Sequence, residues 1–134
     1  GSFLFYNNNL KLSTTNTGVS VTGDIELTNA IVSNQENTDV DLGAAQVIAE
    51  INATDYDAVF FDYVIKKGTN LRAGTVTACH DGTSVQFTET ATSDLGSTAG
   101  VDLSVSLSGS PGNLQLLATV PSNDWSIKTF TRGI

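Results

Sequence analysis

Val101-Asp102-Leu103-Ser104-Val105-Ser106-Leu107 alternates apolar and polar residues without a break. In an extended strand, successive side chains point to opposite faces. Val101, Leu103, Val105 and Leu107 therefore share one face, and Asp102, Ser104 and Ser106 share the other. A strand with one dry and one wet face belongs to an antiparallel sheet that covers a core on one side only. Similar short runs recur on either side, over residues 46–52, 58–66, 71–80, 84–90, 113–120 and 125–131. Turn residues separate them: Thr54-Asp55-Tyr56-Asp57, Gly68-Thr69-Asn70, Asp81-Gly82, Ser108-Gly109-Ser110-Pro111-Gly112 and Pro121-Ser122-Asn123-Asp124. No window sustains a helical period with caps. The spacing predicts an all-β, antiparallel β-sandwich, jelly-roll-like, over residues 31–134.

Two stretches depart from simple alternation. From Ala58 to Lys66 both parities are apolar, with Phe60 and Val64 on one face and Val59, Phe61, Tyr63 and Ile65 on the other. Only Asp62 interrupts the apolar run. This pattern predicts burial on both sides, one in the sandwich and one beneath the stem or a neighbouring subunit. Phe87 and Phe130 also read as core. Residues 28–44 carry turn formers and acids around a brief Ile31-Val32 patch, and they read as a linker.

The N-terminal quarter is different again: Phe3-Leu4-Phe5-Tyr6-Asn7-Asn8-Asn9-Leu10-Lys11-Leu12-Ser13-Thr14-Thr15-Asn16-Thr17-Gly18-Val19-Ser20-Val21-Thr22-Gly23-Asp24. It reads as very short strands broken by Asn, Thr and Gly, each with an apolar face. So thin a stretch builds no core of its own, so its faces need cover from another domain or from copies of the chain. Residues 1–30 are therefore expected to be a short β-stem used for oligomerisation. Gly1-Ser2 reads as a cloning remnant, and the absence of Met as the mark of a fragment of a longer protein.

Residues 5–23 resemble a segment found in the fibrous stems of tail fibres and other virion proteins of marine and cyanobacterial phages. Phe60-Phe61-Asp62-Tyr63, Arg72-Ala73-Gly74-Thr75, His80-Asp81-Gly82-Thr83, Leu103-Ser104-Val105, Trp125-Ser126-Ile127-Lys128 and Arg132-Gly133-Ile134 extend the likeness to a C-terminal module of such proteins. The resemblance implies a virion structural protein, assembled in the bacterial cytoplasm. It implies a homotrimer that contacts other virion proteins and attaches to a host surface glycan or protein without covalent chemistry. The rival readings are a capsid-decoration module without a receptor and a stand-alone carbohydrate-binding module.

Composition narrows the partners. The chain has 134 residues, enough for one core without staples. Fourteen acids against six bases give a formal charge of −8, so the positive footprint that nucleic acid requires is missing. No apolar run reaches the ~20 residues of a membrane helix, and no membrane insertion is expected. A single Cys allows no internal disulfide, which suits a reducing compartment.

Catalytic chemistry finds little purchase. Cys79 and His80 are the only Cys and the only His, and as strand neighbours they face opposite ways, which excludes a dyad. The expected roles are Cys79 as a small packed residue and His80 at a hairpin mouth, where Asp81-Gly82 suits a type I′ turn. No Gly-x-Ser-x-Gly elbow is present. Asp55, Asp57, Asp62, Glu89, Asp94 and Asp102 offer carboxylates, but their spacing selects no pair for glycoside cleavage. Asn37-Thr38-Asp39-Val40-Asp41 begins like a calcium loop, although Gly43 falls one place late and Ile48 holds the twelfth position. No catalytic residue, resident metal or cofactor is expected. For ligand binding, Tyr56 and Trp125 are the two candidates, because an aromatic side chain on a loop can stack on a sugar ring.

Overall fold

The computed structural model describes all 134 residues. The chain is entirely β and forms three antiparallel sheets. A meander of β1 (Phe3–Tyr6), β2 (Asn9–Thr15) and β3 (Gly18–Val21) stands as a sheet of its own. The sandwich pairs a six-stranded sheet with a three-stranded one. The larger contains, in spatial order, β4 (Ile25–Glu26), β5 (Ile31–Val40), β12 (Trp125–Gly133), β7 (Ala58–Lys67), β8 (Asn70–His80) and β9 (Val85–Ala91). The smaller is ordered β10 (Asp102–Leu107), β11 (Asn113–Thr119), β6 (Gln46–Asn52). The first long strand lies beside the last (β5 and β12) and the next beside the last but one (β6 and β11). That is the rolled-up order of a jelly roll. The β7–β8–β9 meander then widens one sheet only.

Alternation sets the core. On β12, Trp125, Ile127, Thr129, Thr131 and Gly133 are buried, while Lys128, Phe130 and Arg132 face outward. On β7, Val59, Phe61, Tyr63 and Ile65 are buried. Across the gap stand Ile48 and Ile51 of β6, Leu114, Leu116 and Ala118 of β11, and Val105 of β10. A bulge between Leu116 and Leu117 leaves Ile48 without a partner on β11 and re-aims the strand. Gly133 is small because Ile51, Ile31 and Tyr56 close over it, and any Cβ there would collide with them.

Three expectations are corrected. Residues 31–40, read as linker, form β5, a full ladder partner of β12. The strand escaped detection because its middle is polar. Gln35 faces inward at the seam between the sheets, where its side-chain oxygen accepts a hydrogen bond from the Glu50 amide at 3.1 Å. Backbone pairing, not apolar burial, makes it a strand. Second, within the single chain β7 is buried on one face only, and the β1–β3 stem does not cover the other. Phe60 is half-buried under the Arg132 guanidinium, 4.8 Å from its ring centroid, and Val64 is exposed. Third, Phe87 and Phe130 lie outside the core. Phe130 is on the outer face, and Phe87 sits on the inner face of β9, beyond the reach of the narrower sheet.

A polar cluster closes that overhang. Gly74 leaves room for the Tyr63 ring, since a Cβ there would come within 2.7 Å of the phenol oxygen. The Tyr63 hydroxyl donates to Glu89. Arg72 pairs with Glu89 at 3.3 Å and donates to the Thr98 hydroxyl at 2.9 Å and the Val101 carbonyl at 3.2 Å. Thr98, fully buried, donates in turn to Asp94 from both its amide and its hydroxyl at 2.7 Å. These bonds fold residues 92–101 across the open end of the larger sheet. They hold the Asp94 carboxyl below the usual carboxylate range.

Two outcomes follow. Phe61→Ala costs about 3–5 kcal/mol, the range for a buried Phe, whereas Phe60→Ala costs less than about 2 kcal/mol because its ring is already half in water. Denaturant melts of both variants check this, and equal losses would contradict one-sided burial. The second concerns alkali. Burial, with the bond to Glu89, pushes the Tyr63 phenol up to about 12, from an ordinary value near 10. A raised folded value favours the protonated form, so its stabilisation is complete below pH ~10 and is lost as pH climbs through about 12. Thermal melts across that window should fall more steeply for the native chain than for Tyr63→Phe.

Candidate functional site

The β1–β3 sheet is the part of the molecule most at odds with water. Its first hairpin turns on Asn7 and Asn8, whose φ angles of 50° and 64° are the left-handed pair of a type I′ turn. Asn tolerates that conformation better than other side chains. Cross-strand register sets Leu4 opposite Leu12 and Leu12 opposite Val21, an apolar row across all three strands. A bulge between Leu4 and Phe5 then places Phe5 opposite Leu10, so Leu10 and Leu12 do not continue one regular row. The Phe3 and Phe5 rings lie 6.5 Å apart. Phe3, Leu4, Phe5 and Tyr6 are 57, 62, 63 and 68% exposed, and Val19, Val21 and Leu10 are exposed as well. The apolar row expected from the sequence is present, and no other part of the same chain covers it.

The exposed apolar surface continues. Below the sheet, Leu4, Tyr6, Leu12, Val21 and Ile25 line a groove with Lys11, Asp24 and Glu26 at its margin. Val21, Ile25, Val32 and Phe130 then line a corner where the small sheet meets the sandwich. Beyond it lies a shallow depression of about 590 Å³ on the outer face of the six-stranded sheet. Register places Asn34, Phe130, Asp62 and Thr75 in one row there and Glu36, Lys128, Val64 and Ala73 in the next. Phe130 is 47% exposed. Asp62 accepts from the Thr75 hydroxyl at 2.7 Å and pairs with Arg132 at 3.4 Å, so its charge is already answered. The sequence does not reveal this depression, because its pattern places Phe130 in the core.

The two aromatic candidates stand elsewhere. Trp125 is 3% exposed and donates its indole N–H to the Ser122 hydroxyl at 3.1 Å rather than to a backbone carbonyl, which leaves it no face for a ligand. Tyr56 is half-buried against the core. Desolvation first, then Glu26, Asp55 and Asp24, push its phenol up. His80 accepts from the Gly82 amide through Nδ1 at 3.0 Å, and its Nε2 lies 2.7 Å from the Tyr56 carbonyl, to which it donates. Cys79 is exposed rather than packed, on the opposite face from His80. The hairpin itself spans four residues, Asp81 to Ser84, instead of a two-residue type I′ turn. The Asp81 carboxylate accepts from the Thr83 and Ser84 amides, which lowers its pKa.

The segment read as the start of a calcium loop gains a member. Val40 turns into the core, leaving Asp39 and Asp41 to either side, and Asp124 joins them from the turn before β12. One oxygen from each lies within 4.8 Å of the others. Such a trio offers a divalent cation half an oxygen shell, but acidic groups also gather on exposed loops without any ion. Asn37 does not join them, since its side-chain oxygen accepts from the Asp39 amide at 2.9 Å. Asp124 lies 83 residues beyond Asp41, to which its amide donates at 3.0 Å, so no local motif could reveal it.

The fold is thus an unequal antiparallel β-sandwich carrying an uncovered apolar sheet. Among solved structures it is similar to the tailspike protein of Acinetobacter phage vB_ApiP_P1, at 18% identity and a TM-score of 0.48. The match covers 76% of this chain and 21% of that one, so the chain spans about a fifth of the tailspike's length. No protein-family model and no curated protein matches the chain.

The carboxylate trio gives a test of its electrostatics. Asp41 foremost, then Asp124, holds the Asp39 carboxyl above its ordinary range. A raised folded value means stability is fullest below the ordinary carboxylate pKa and is lost as pH rises through the folded one. Asp39→Asn should therefore raise the melting temperature at neutral pH. The gain should vanish in acid, where the native carboxyl is protonated as well, and melts at the two pH values check it.

Proposed function

We propose that this chain is a C-terminal module of a phage virion appendage, of tail-fibre type, that assembles as a homotrimer and serves host attachment by non-covalent binding. One observation carries the assembly: a three-stranded sheet bears large apolar residues that nothing in the same chain covers. Surfaces of this kind mark contacts with other protein. A sheet of this size does not stand alone in water without such a contact. The resemblance of residues 5–23 and of the later motifs to phage stems and their C-terminal modules supports the virion setting. The threefold state comes from the same resemblance. In this reading the module is not an enzyme. Glu89 and Asp94 are engaged in the overhang cluster and Asp62 with Arg132 and Thr75, which suits a structural role for each.

Light scattering at micromolar concentration tests the proposal. A mass of three chains is expected, falling toward one chain for Phe5→Glu, whose side chain is exposed in the single chain and leaves the sandwich folded. A native chain that stays monomeric at all concentrations would defeat it.

A further inference from the structure

The depression on the outer face of the six-stranded sheet has an apolar floor and a polar margin. Phe130 and Val64 are 47 and 39% exposed, and beside Val64 the short Ala73 side chain keeps the floor low. Asn34, Asp62, Lys128 and Thr92 stand around it. The Asn34 carboxamide and the Lys128 ammonium are exposed, and neither has a hydrogen-bond or ion-pair partner within the chain. The Thr92 hydroxyl oxygen accepts from the Ala73 amide at 3.3 Å, which leaves its own proton free to donate. We infer that this depression binds a neutral bacterial polysaccharide, with Phe130 stacked on the apolar face of a sugar ring and Asn34, Asp62, Lys128 and Thr92 hydrogen-bonded to its hydroxyls. This rests on the attachment reading above and names its ligand class and its place.

A sugar ring divides its chemistry in the same way, with C–H groups on one face and hydroxyls around the edge. An exposed phenyl takes the first, and a margin of mixed donors and acceptors takes the second. The charges select a neutral chain. Asp62 pairs with Arg132 at 3.4 Å and Glu36 stands opposite Lys128 in register, so no net charge remains to attract an ionic partner. Size agrees as well. A volume of about 590 Å³ falls within the range of ligand sites. The lining runs from Asn34 on β5 across β12, β7 and β8 to Thr92, just past the end of β9. At ~4.8 Å per strand that path is about 19 Å long, room for several sugar rings in line. Because the trough is open and shallow, it admits the middle of a long chain, which an enclosed pocket would refuse. At its β8–β9 end, Thr75 and Thr77 stand opposite Thr90 and Thr88, while Val76 between them turns into the core, so further hydroxyls face outward along the same path.

The native chain is passed over a panel of immobilised bacterial surface polysaccharides, neutral and charged, and affinity for any that retain it is measured by calorimetry. Retention on a neutral polysaccharide is expected, with an affinity that added salt leaves unchanged. Phe130→Ala should lower that affinity about tenfold, the worth of one aromatic contact, and Asn34→Ala should lower it too. Phe130→Tyr should restore it. Phe87→Ala, at a half-exposed ring on the inner face, should leave it as it was. Circular dichroism, the melt and the mass of the particle should stay the same in all four variants. Binding that survives both Phe130→Ala and Asn34→Ala would overturn the inference, because the sugar would then sit elsewhere while the attachment reading stands. Retention on charged polysaccharides alone, lost as salt is raised, would overturn it as well. So would a fall in particle mass for Phe130→Ala, which would assign this face to a second copy of the chain. A native chain that no polysaccharide in the panel retains would defeat the inference, whereas the assembly is judged by light scattering alone, so either can fail without the other.

Discussion

Strand β12 is the member on which the sandwich depends. It lies between β5 and β7 and satisfies the backbone of both. Its inward side sends Trp125 and Ile127 into the core, then Thr129, Thr131 and Gly133 toward the seam where space runs short. The small residues at that end matter as much as the large ones. Ile51 approaches from the opposite sheet so closely that only a hydrogen fits at Gly133. Two sheets of unequal width can meet this closely only where one of them gives up side-chain volume.

The unequal width has a second effect. Six strands cannot be covered by three, so part of the inner face of β8 and β9 lacks an apolar lid. The chain closes it with hydrogen bonds and charge. Tyr63, Glu89, Arg72, Thr98 and Asp94 form one connected set in which each carboxylate has donors. A polar cluster of this kind fixes geometry better than it adds stability, since each buried charge must be paid for in desolvation. It explains why a residue as hydrophilic as Arg72 sits on an inward position of β8.

Much of this was legible. Strand positions from Gln46 onward follow the alternation, because an apolar residue at every second place leaves one arrangement of faces. Val101 to Leu107 reads directly from its letters. Legibility ends where burial is not what makes the strand. β5 has buried residues only at its two ends, Ile31 and Val40, so its hydropathy resembles a loop. Phe60, Phe87 and Phe130 show the converse error. Aromatic character argues for burial, but exposure depends on the width of the opposite sheet, which no local pattern contains. The site was half visible. Four consecutive large apolar residues at Phe3–Tyr6 announce an uncovered strand, while the Asp39, Asp41 and Asp124 grouping depends on a fold that joins distant turns.

The bare β1–β3 sheet also bears on timing. The sandwich buries its core with residues of one chain, so that step is first order and independent of concentration. The small sheet has no cover among these residues, so a separate partner that dried it would arrive by collision, at a rate that scales with its amount. These strands come first in the sequence, so they are made before the sandwich that follows them. Their apolar faces therefore stay wet through synthesis, and the chain's charge of −8 disfavours random contact between copies meanwhile.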